Sequence, residues 1–291
     1  MIRPARPPEQ ATDVPGRIAF LQGGSAATTA RWLGRLGARS TLICAVGRDP
    51  AGRALVKAIE GDHVTVRAVR VATAPTARIA VLVNLDGERT FVTQRGAADM
   101  LRPADIKQSW FDGLQVLHLP AYSLLGSPLG DAGARAIELA RAAHAAISVD
   151  LASIGPLLAR GRAAGRDLIA STNADILFAT AAEADALQPG HRAEDLLEFA
   201  AIAVVKRGSK GATVLARSGG ERLRFEVATV PLKAEDTTGA GDAFDAGFLV
   251  GWLGARVSGR SLPAALHQAA VAGHKAAARH LSQPRSALTL G

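Results

Sequence analysis

The chain predicts an α/β fold: a doubly wound sheet in a three-layer α/β/α arrangement, with a small β-sheet lid beside it. Three observations carry this. Between Thr41 and Val205, short apolar runs alternate with longer Ala/Leu/Arg segments of helical period, which marks a parallel sheet with crossover helices. The 291 residues suit one large core, and no internal repeat or low-complexity linker divides residues 1–291 into more than a single domain. One piece, Ala77 to Gly96, breaks the βα alternation with a strict period of two and reads as a hairpin outside the main sheet.

The elements follow in order. "GRIAFLQ", Gly16 to Gln22, reads as extended and could join the hairpin in a lid, with strands expected at about 12–22 and 77–96; an ordinary edge hairpin fits the same pattern. "AATTARWLGRLG", Ala26 to Gly37, and "PAGRALVKAIE", Pro50 to Glu60, place apolar residues at three- and four-residue steps and predict helices on either side of the strand "TLICAV", Thr41 to Val46. The hairpin carries an Asp86-Gly87 turn signal. Beyond it come the strand "VLHLP", Val116 to Pro120, the helix "DAGARAIELARAAHA", Asp131 to Ala145, and the strands "AISVDL", Ala146 to Leu151, and "DILFA", Asp175 to Ala179. The helix "AAEADAL", Ala181 to Leu187, leads to the strand "AIAVVK", Ala201 to Lys206. Most of the prolines and glycines stand at the joins.

Composition narrows the function classes. The lone Cys44 lies in an apolar run and has no internal disulfide partner, which suits a reducing cytoplasm. No stretch is apolar for long enough to cross a bilayer, and the polar, Pro-rich opening lacks the apolar region of a signal peptide. A net charge of +8 invites a nucleic-acid partner, yet the arginines are scattered without a basic run, so none is expected; the positive field favours a small anionic ligand such as a nucleotide. The histidines lack metal-ligand spacing, Ser25 has no His or Asp at motif spacing, and "GSKGATV" lacks the P-loop frame.

The chemistry concentrates in "EDTTGAGDAFDAGFLVGWL", Glu235 to Leu253, where glycines and acids run into an apolar helical pattern. Gly239, Ala240 and Gly241 let successive backbone N–H groups converge on one point at the start of that helix, forming an anion nest backed by the helix dipole. Asp242 then falls in the first turn, where the dipole favours its negative charge and where it can accept a proton beside the bound anion. An anion hole next to a carboxylate suggests phosphoryl transfer, whose loose transition state needs positioning and charge neutralisation more than a strong base. For a bare G-x-G-D, a glycine turn with a helix-start aspartate is the simpler reading. Arg95, at the end of the hairpin, could reach a substrate from the lid or be a solvated strand-end residue.

The longer string "DTTGAGDAF", Asp236 to Phe244, resembles the C-terminal signature of the ribokinase-like (pfkB) carbohydrate kinases. "GGSAATTARWLGRLGA", Gly23 to Ala38, and "VGRDPAGRAL" resemble that family's N-terminal glycine signature and its continuation, and "ILFATAAEADAL" and "VVKRGSKGA" fall where the family has its N-x-x-E and Lys/Gly nucleotide segments. The resemblance implies a ribokinase-like fold, ATP with Mg²⁺ and possible K⁺ dependence, and a small sugar or sugar-like acceptor. It makes Asp242 the base and Gly239, Ala240 and Gly241 the anion hole, and it assigns Glu183 to Mg²⁺ and its waters. Lys206, Gly208 and Gly211 would border the nucleotide, His274 the adenine, Asp236 and Thr238 a monovalent cation, and Gly23, Gly24 and Thr28 the sugar. A lid edge strand could pair two copies across a two-fold axis.

The sequence departs from the family on the acceptor side. The opening strand with its sugar-gripping Asp is missing from the residues before Gly23, and Thr28, Ala98 and Thr180 stand where the family has Asn. Two readings follow: a kinase with an unusual acceptor, or one whose strand lies upstream of Met1; and a nucleotide-binding regulator or impaired homologue that has lost efficient transfer.

Overall fold

The computed structural model describes all residues except 9–10, 85–88, 191, 233, 235, 284–286 and 289–291. The Asp86-Gly87 turn and Glu235 therefore lie outside the described residues. The chain runs through β1 (Ile2–Pro4), β2 (Gly16–Ile18), α1 (Ser25–Arg35), β3 (Ser40–Gly47), α2 (Pro50–Glu60), β4 (Val64–Val71), β5 (Arg78–Val83), β6 (Arg89–Gln94), β7 (Val116–Pro120) and α3 (Leu129–Ala142). It continues with β8 (Ala146–Asp150), α4 (Ile154–Leu158), α5 (Arg162–Ser171), β9 (Ala174–Thr180), α6 (Ala181–Leu187), β10 (Ala200–Lys206), β11 (Ala212–Ser218), β12 (Glu221–Val227), α7 (Ala240–Val257) and α8 (Leu262–Leu281).

The central sheet has six strands in the order β12-β11-β10-β9-β8-β7. β7 to β10 are parallel, and β11 and β12 add on antiparallel. Strands covered on both faces read as unbroken apolar runs, which is why "DILFA" and "AIAVVK" were legible. Alternate residues of β9 go to opposite layers. Leu177 and Ala179 pack with Leu139, Leu157 and Ile169 on one face, while Ile176 and Phe178 pack with Phe244, Phe248, Trp252 and Leu266 from α7 and α8 on the other.

The structure corrects the expected sheet in two respects. β3 pairs with β4 as a separate two-stranded parallel sheet among the described residues rather than as a member of the central sheet. It adjoins the core through Ile43, Ala45, Val69 and Val71. The small sheet has the order β2-β1-β5-β6 and recruits Ile2–Pro4, a strand absent from the sequence reading. Ile18, Phe20 and Val92 of this lid region are 70 %, 61 % and 68 % exposed.

Candidate active site

The site begins where the loop after β12 enters α7. Gly239 is left-handed with φ 93°, a conformation in which other residues are strained, and an added Cβ would meet the His280 ring at 3.1 Å and the Thr28 methyl at 3.2 Å. The loop before it is held from both sides. Asp236 Oδ1 accepts from the Thr238 amide at 2.9 Å, and His280 Nε2–H donates to the Thr238 carbonyl at 2.9 Å. The indole of Trp32 donates to His280 Nδ1 at 3.0 Å, so both imidazole nitrogens have defined roles in the neutral ring. Ala240 and Gly241 open α7 at the positive end of the helix dipole, and the Ala240 amide donates to the Thr237 carbonyl at 3.2 Å.

Asp242 stands in that first turn and meets the opposite half of the molecule. Ser25 Oγ–H donates to Asp242 Oδ1 at 2.6 Å, from the first residue of α1, which follows left-handed Gly24. The Ser25 amide donates to the Tyr122 hydroxyl at 3.2 Å. Burial, with the nearby Asp242 charge, raises the Tyr122 pKa and keeps the phenol protonated. Arg95 lies over the Tyr122 ring at 5.0 Å while pairing with Asp99 at 2.6 Å, so its guanidinium faces the Ser25–Asp242 contact through one aromatic ring. Thr28 turns its hydroxyl back to the Gly24 carbonyl at 3.0 Å, and Gly23 has no heavy atom within 4 Å of an added Cβ.

Beneath the helix start lies a buried ion cluster. Lys206, at the end of β10, places its ammonium 3.1 Å from Asp150 Oδ1 at the end of β8 and 3.0 Å from Asp245 Oδ2 on α7, with side-chain exposures of 11 %, 4 % and 0 % for Lys206, Asp150 and Asp245. That ammonium, reaching across β9, lies over the Phe178 ring 5.7 Å from its centroid. Burial alone would lower the Lys206 pKa; the two carboxylates outweigh it and hold the group cationic. Burial raises Asp245 well above the ordinary carboxylate range, against the pull of Lys206. Lys206 was expected to border the nucleotide; its ammonium instead points at these two carboxylates.

The remaining expected residues flank this centre. Thr180 is the register partner of Lys206 and caps α6: Glu183 Oε2 accepts from the Thr180 amide at 2.7 Å, and the Glu183 amide donates to Thr180 Oγ1 at 3.2 Å. Glu183 thus serves a capping box at the C-terminal end of the sheet. Gly208 and Gly211 are left-handed, and a Cβ on Gly211 would fall on the Val227 carbonyl. That carbonyl accepts from His274 Nε2–H at 3.1 Å, and the His274 ring stands edge-on to Phe244 at 5.1 Å. Its pKa is lowered by burial.

The "GRDPAG" stretch builds the root of the lid. Asp49 caps α2 by accepting from Gly52 N at 2.8 Å, and its carboxylate also accepts from Thr76 N at 2.9 Å and Thr76 Oγ1 at 2.6 Å, two residues before β5. Although desolvation opposes it, these hydrogen bonds lower the Asp49 pKa to about 2. Side chains at Gly47 or Gly52 would strike the Thr76 segment.

The structure thus joins Gly239, Gly241, Asp242, Asp236, Thr238, Thr28 and Lys206 around one helix start. Ser25, Tyr122, Asp150, Asp245 and His280 belong to the same site and were not assigned to it from the sequence.

Comparison with known proteins identifies the family. The family model described as "pfkB family carbohydrate kinase" matches residues 1–288. A protein named ATP-dependent ribose-1-phosphate kinase from Halopiger xanaduensis is 33% identical over 241 residues, covering 79% of this chain and 73% of that protein. Probable fructokinase-4 of Arabidopsis thaliana is 29% identical over 242 residues, 80% of this chain and 73% of the relative. The crystal structure of adenosine kinase from Sinorhizobium meliloti superposes with a TM-score of 0.78 at 29% identity, covering 96% of this chain and 83% of that one. Motifs, fold and family match coincide over nearly the whole length, and the chain belongs to the pfkB family of carbohydrate kinases, phosphotransferases with an alcohol acceptor.

Proposed function

We propose that this protein transfers the γ-phosphate of ATP to a hydroxymethyl-type alcohol of a sugar or sugar-like molecule. The observation that carries this is Asp242 in the first turn of α7, hydrogen-bonded by Ser25 and next to Gly241 at the positive end of the helix dipole. Asp242 takes the acceptor's hydroxyl proton; Ser25, now its donor, orients the carboxylate and yields to the incoming hydroxyl. The amides at the helix start stabilise charge on the transferring phosphoryl group.

The donor set suits ATP and Mg²⁺. The small residues at 239–241 carry no bulky side chain to keep phosphate oxygens from the backbone, and Mg²⁺ in such sites takes most of its ligands from phosphates and water, needing one or two carboxylates. Glu183 would hold it through its waters, and the ion supplies neutralisation of phosphate charge. Gly208, Gly211 and His274 would line the nucleotide's base side, and Asp236 with the Thr238 loop a K⁺ site. The names of the relatives, a fructokinase, a ribose-1-phosphate kinase and an adenosine kinase, support acceptors in the sugar and nucleoside range. Closure of the exposed lid would exclude water, and its apolar surface would also suit pairing of two copies.

A second reading, nucleotide binding without efficient transfer, is favoured by Thr28, whose hydroxyl is turned to Gly24 rather than toward the acceptor side. ADP release with Mg²⁺ and K⁺ against pooled sugars, sugar acids and nucleosides, wild type beside Asp242→Asn, separates the two. Activity lost in the variant establishes the kinase; ATP binding with no turnover on any acceptor favours the second reading.

A further inference from the structure

The buried Asp150–Lys206–Asp245 cluster lies under the anion hole rather than in it. An added Cβ on Gly241 would stand 3.4 Å from the Lys206 ammonium, so this cation sits directly beneath the hole's backbone. Asp245 comes from the same helix, three residues after Asp242, and is fully buried; through Lys206 it is tied to Asp150, two strands away in the sheet. One ammonium therefore fastens the first turns of α7 to the rigid ends of β8 and β10. A buried ionic group of this kind is weak evidence for stability, because well-packed apolar residues often replace such groups at no loss. Its position suggests a different use.

We propose that Asp150, Lys206 and Asp245 form a positioning group for phosphoryl transfer, which holds the amides at the start of α7 on the transferring phosphate and sets a positive charge behind them. This rests on the reading of residues 239–242 as the phosphate hole and base. Lys206 touches neither substrate; it acts through the backbone of Gly241 and through Asp245.

Lys206→Met alone leaves two buried acids without a cation and is expected to destabilise the fold. The informative variant is Lys206→Met/Asp245→Asn, which removes one acid with the cation. It should recover most of the lost melting temperature, keep ADP affinity within about threefold, and still lower kcat by about a hundredfold, the cost of one lost oxyanion-hole donor. Calorimetric binding of ADP with aluminium fluoride, a mimic of the transferring phosphoryl group, should weaken at least about tenfold in the same variant. A double variant with recovered stability that binds ADP–aluminium fluoride like wild type overturns the proposal. The Asp242→Asn protein tests the underlying reading separately: full transfer in that variant would remove Asp242 as the base, while the fluoride complex would still decide the role of Lys206.

Discussion

The two halves of the site are built on opposite principles. Around α7 the side chains are buried and mutually committed: Gly239 fits only as glycine, His280 and Asp236 clamp the loop, and Lys206 is enclosed by carboxylates. The lid half is rooted at Asp49 with Thr76 and leaves Ile18, Phe20 and Val92 in the open. The difference teaches where change is tolerated. A phosphate is the same in every kinase reaction and can be met by a rigid backbone, whereas an acceptor must enter and leave through a mobile cover.

Substitutions should reveal that asymmetry. The largest effect is expected from Asp242→Asn, which should lower transfer by about a thousandfold with nucleotide affinity nearly unchanged, as measured by ADP release and calorimetry. Equal activity would break the assignment of the base. Gly241→Val places a side chain between the hole and Lys206 and should cost about a hundredfold in kcat with little change in acceptor KM. Asp49→Ala removes three hydrogen bonds at the lid root and should show the reverse split, an acceptor KM raised by about tenfold with kcat less affected; loss of the α2 cap should cost about 1 kcal/mol in denaturant titration. If both variants gave the same split, the two halves would not be functionally distinct.

A further expectation, on stability rather than turnover, is a pH dependence. Burial lowers the His118 pKa from 6.5 to about 4, so the unfolded chain binds a proton that the folded ring refuses. Stability should therefore fall as pH drops from 6.5 to about 4, by up to about 1.4 kcal/mol per pH unit from this group. Asp49 works in a lower window: its contribution is present above 3.8 and is lost as pH falls toward 2. The buried half should soften first on acidification, and His118→Gln should flatten the slope between pH 6 and 4.5 in thermal melts.

Much of this could be read from the chain because it is local. The strands β7 to β10 announce themselves as apolar runs, and the proposed phosphate hole is a contiguous string beginning at Gly239. β4 and β12 were missed for a physical reason. "VTVRAVRV" and "ERLRFEV" set apolar residues against arginine and glutamate, since each strand stands at a sheet edge with one side in water. The contacts that complete the site are distant in sequence: Ser25 meets Asp242 across 217 positions and Lys206 meets Asp150 across 56. Neither a serine beside two glycines nor an aspartate ending a strand signals its partner, and only the fold brings them together.

The detached β3–β4 pair has a dynamic consequence. Its ladder shares no hydrogen bond with the central sheet among the described residues, so it can open without breaking a single rung of β7 to β12. Its amides should exchange with deuterium by a lower-energy opening than those of β8 to β10. Because β3 ends at Gly47, whose amide donates to Thr76 Oγ1 at 3.0 Å, that opening would also unfasten the root of the lid. The acceptor cover and this strand pair should then exchange as one cooperative unit, while the phosphate hole stays protected.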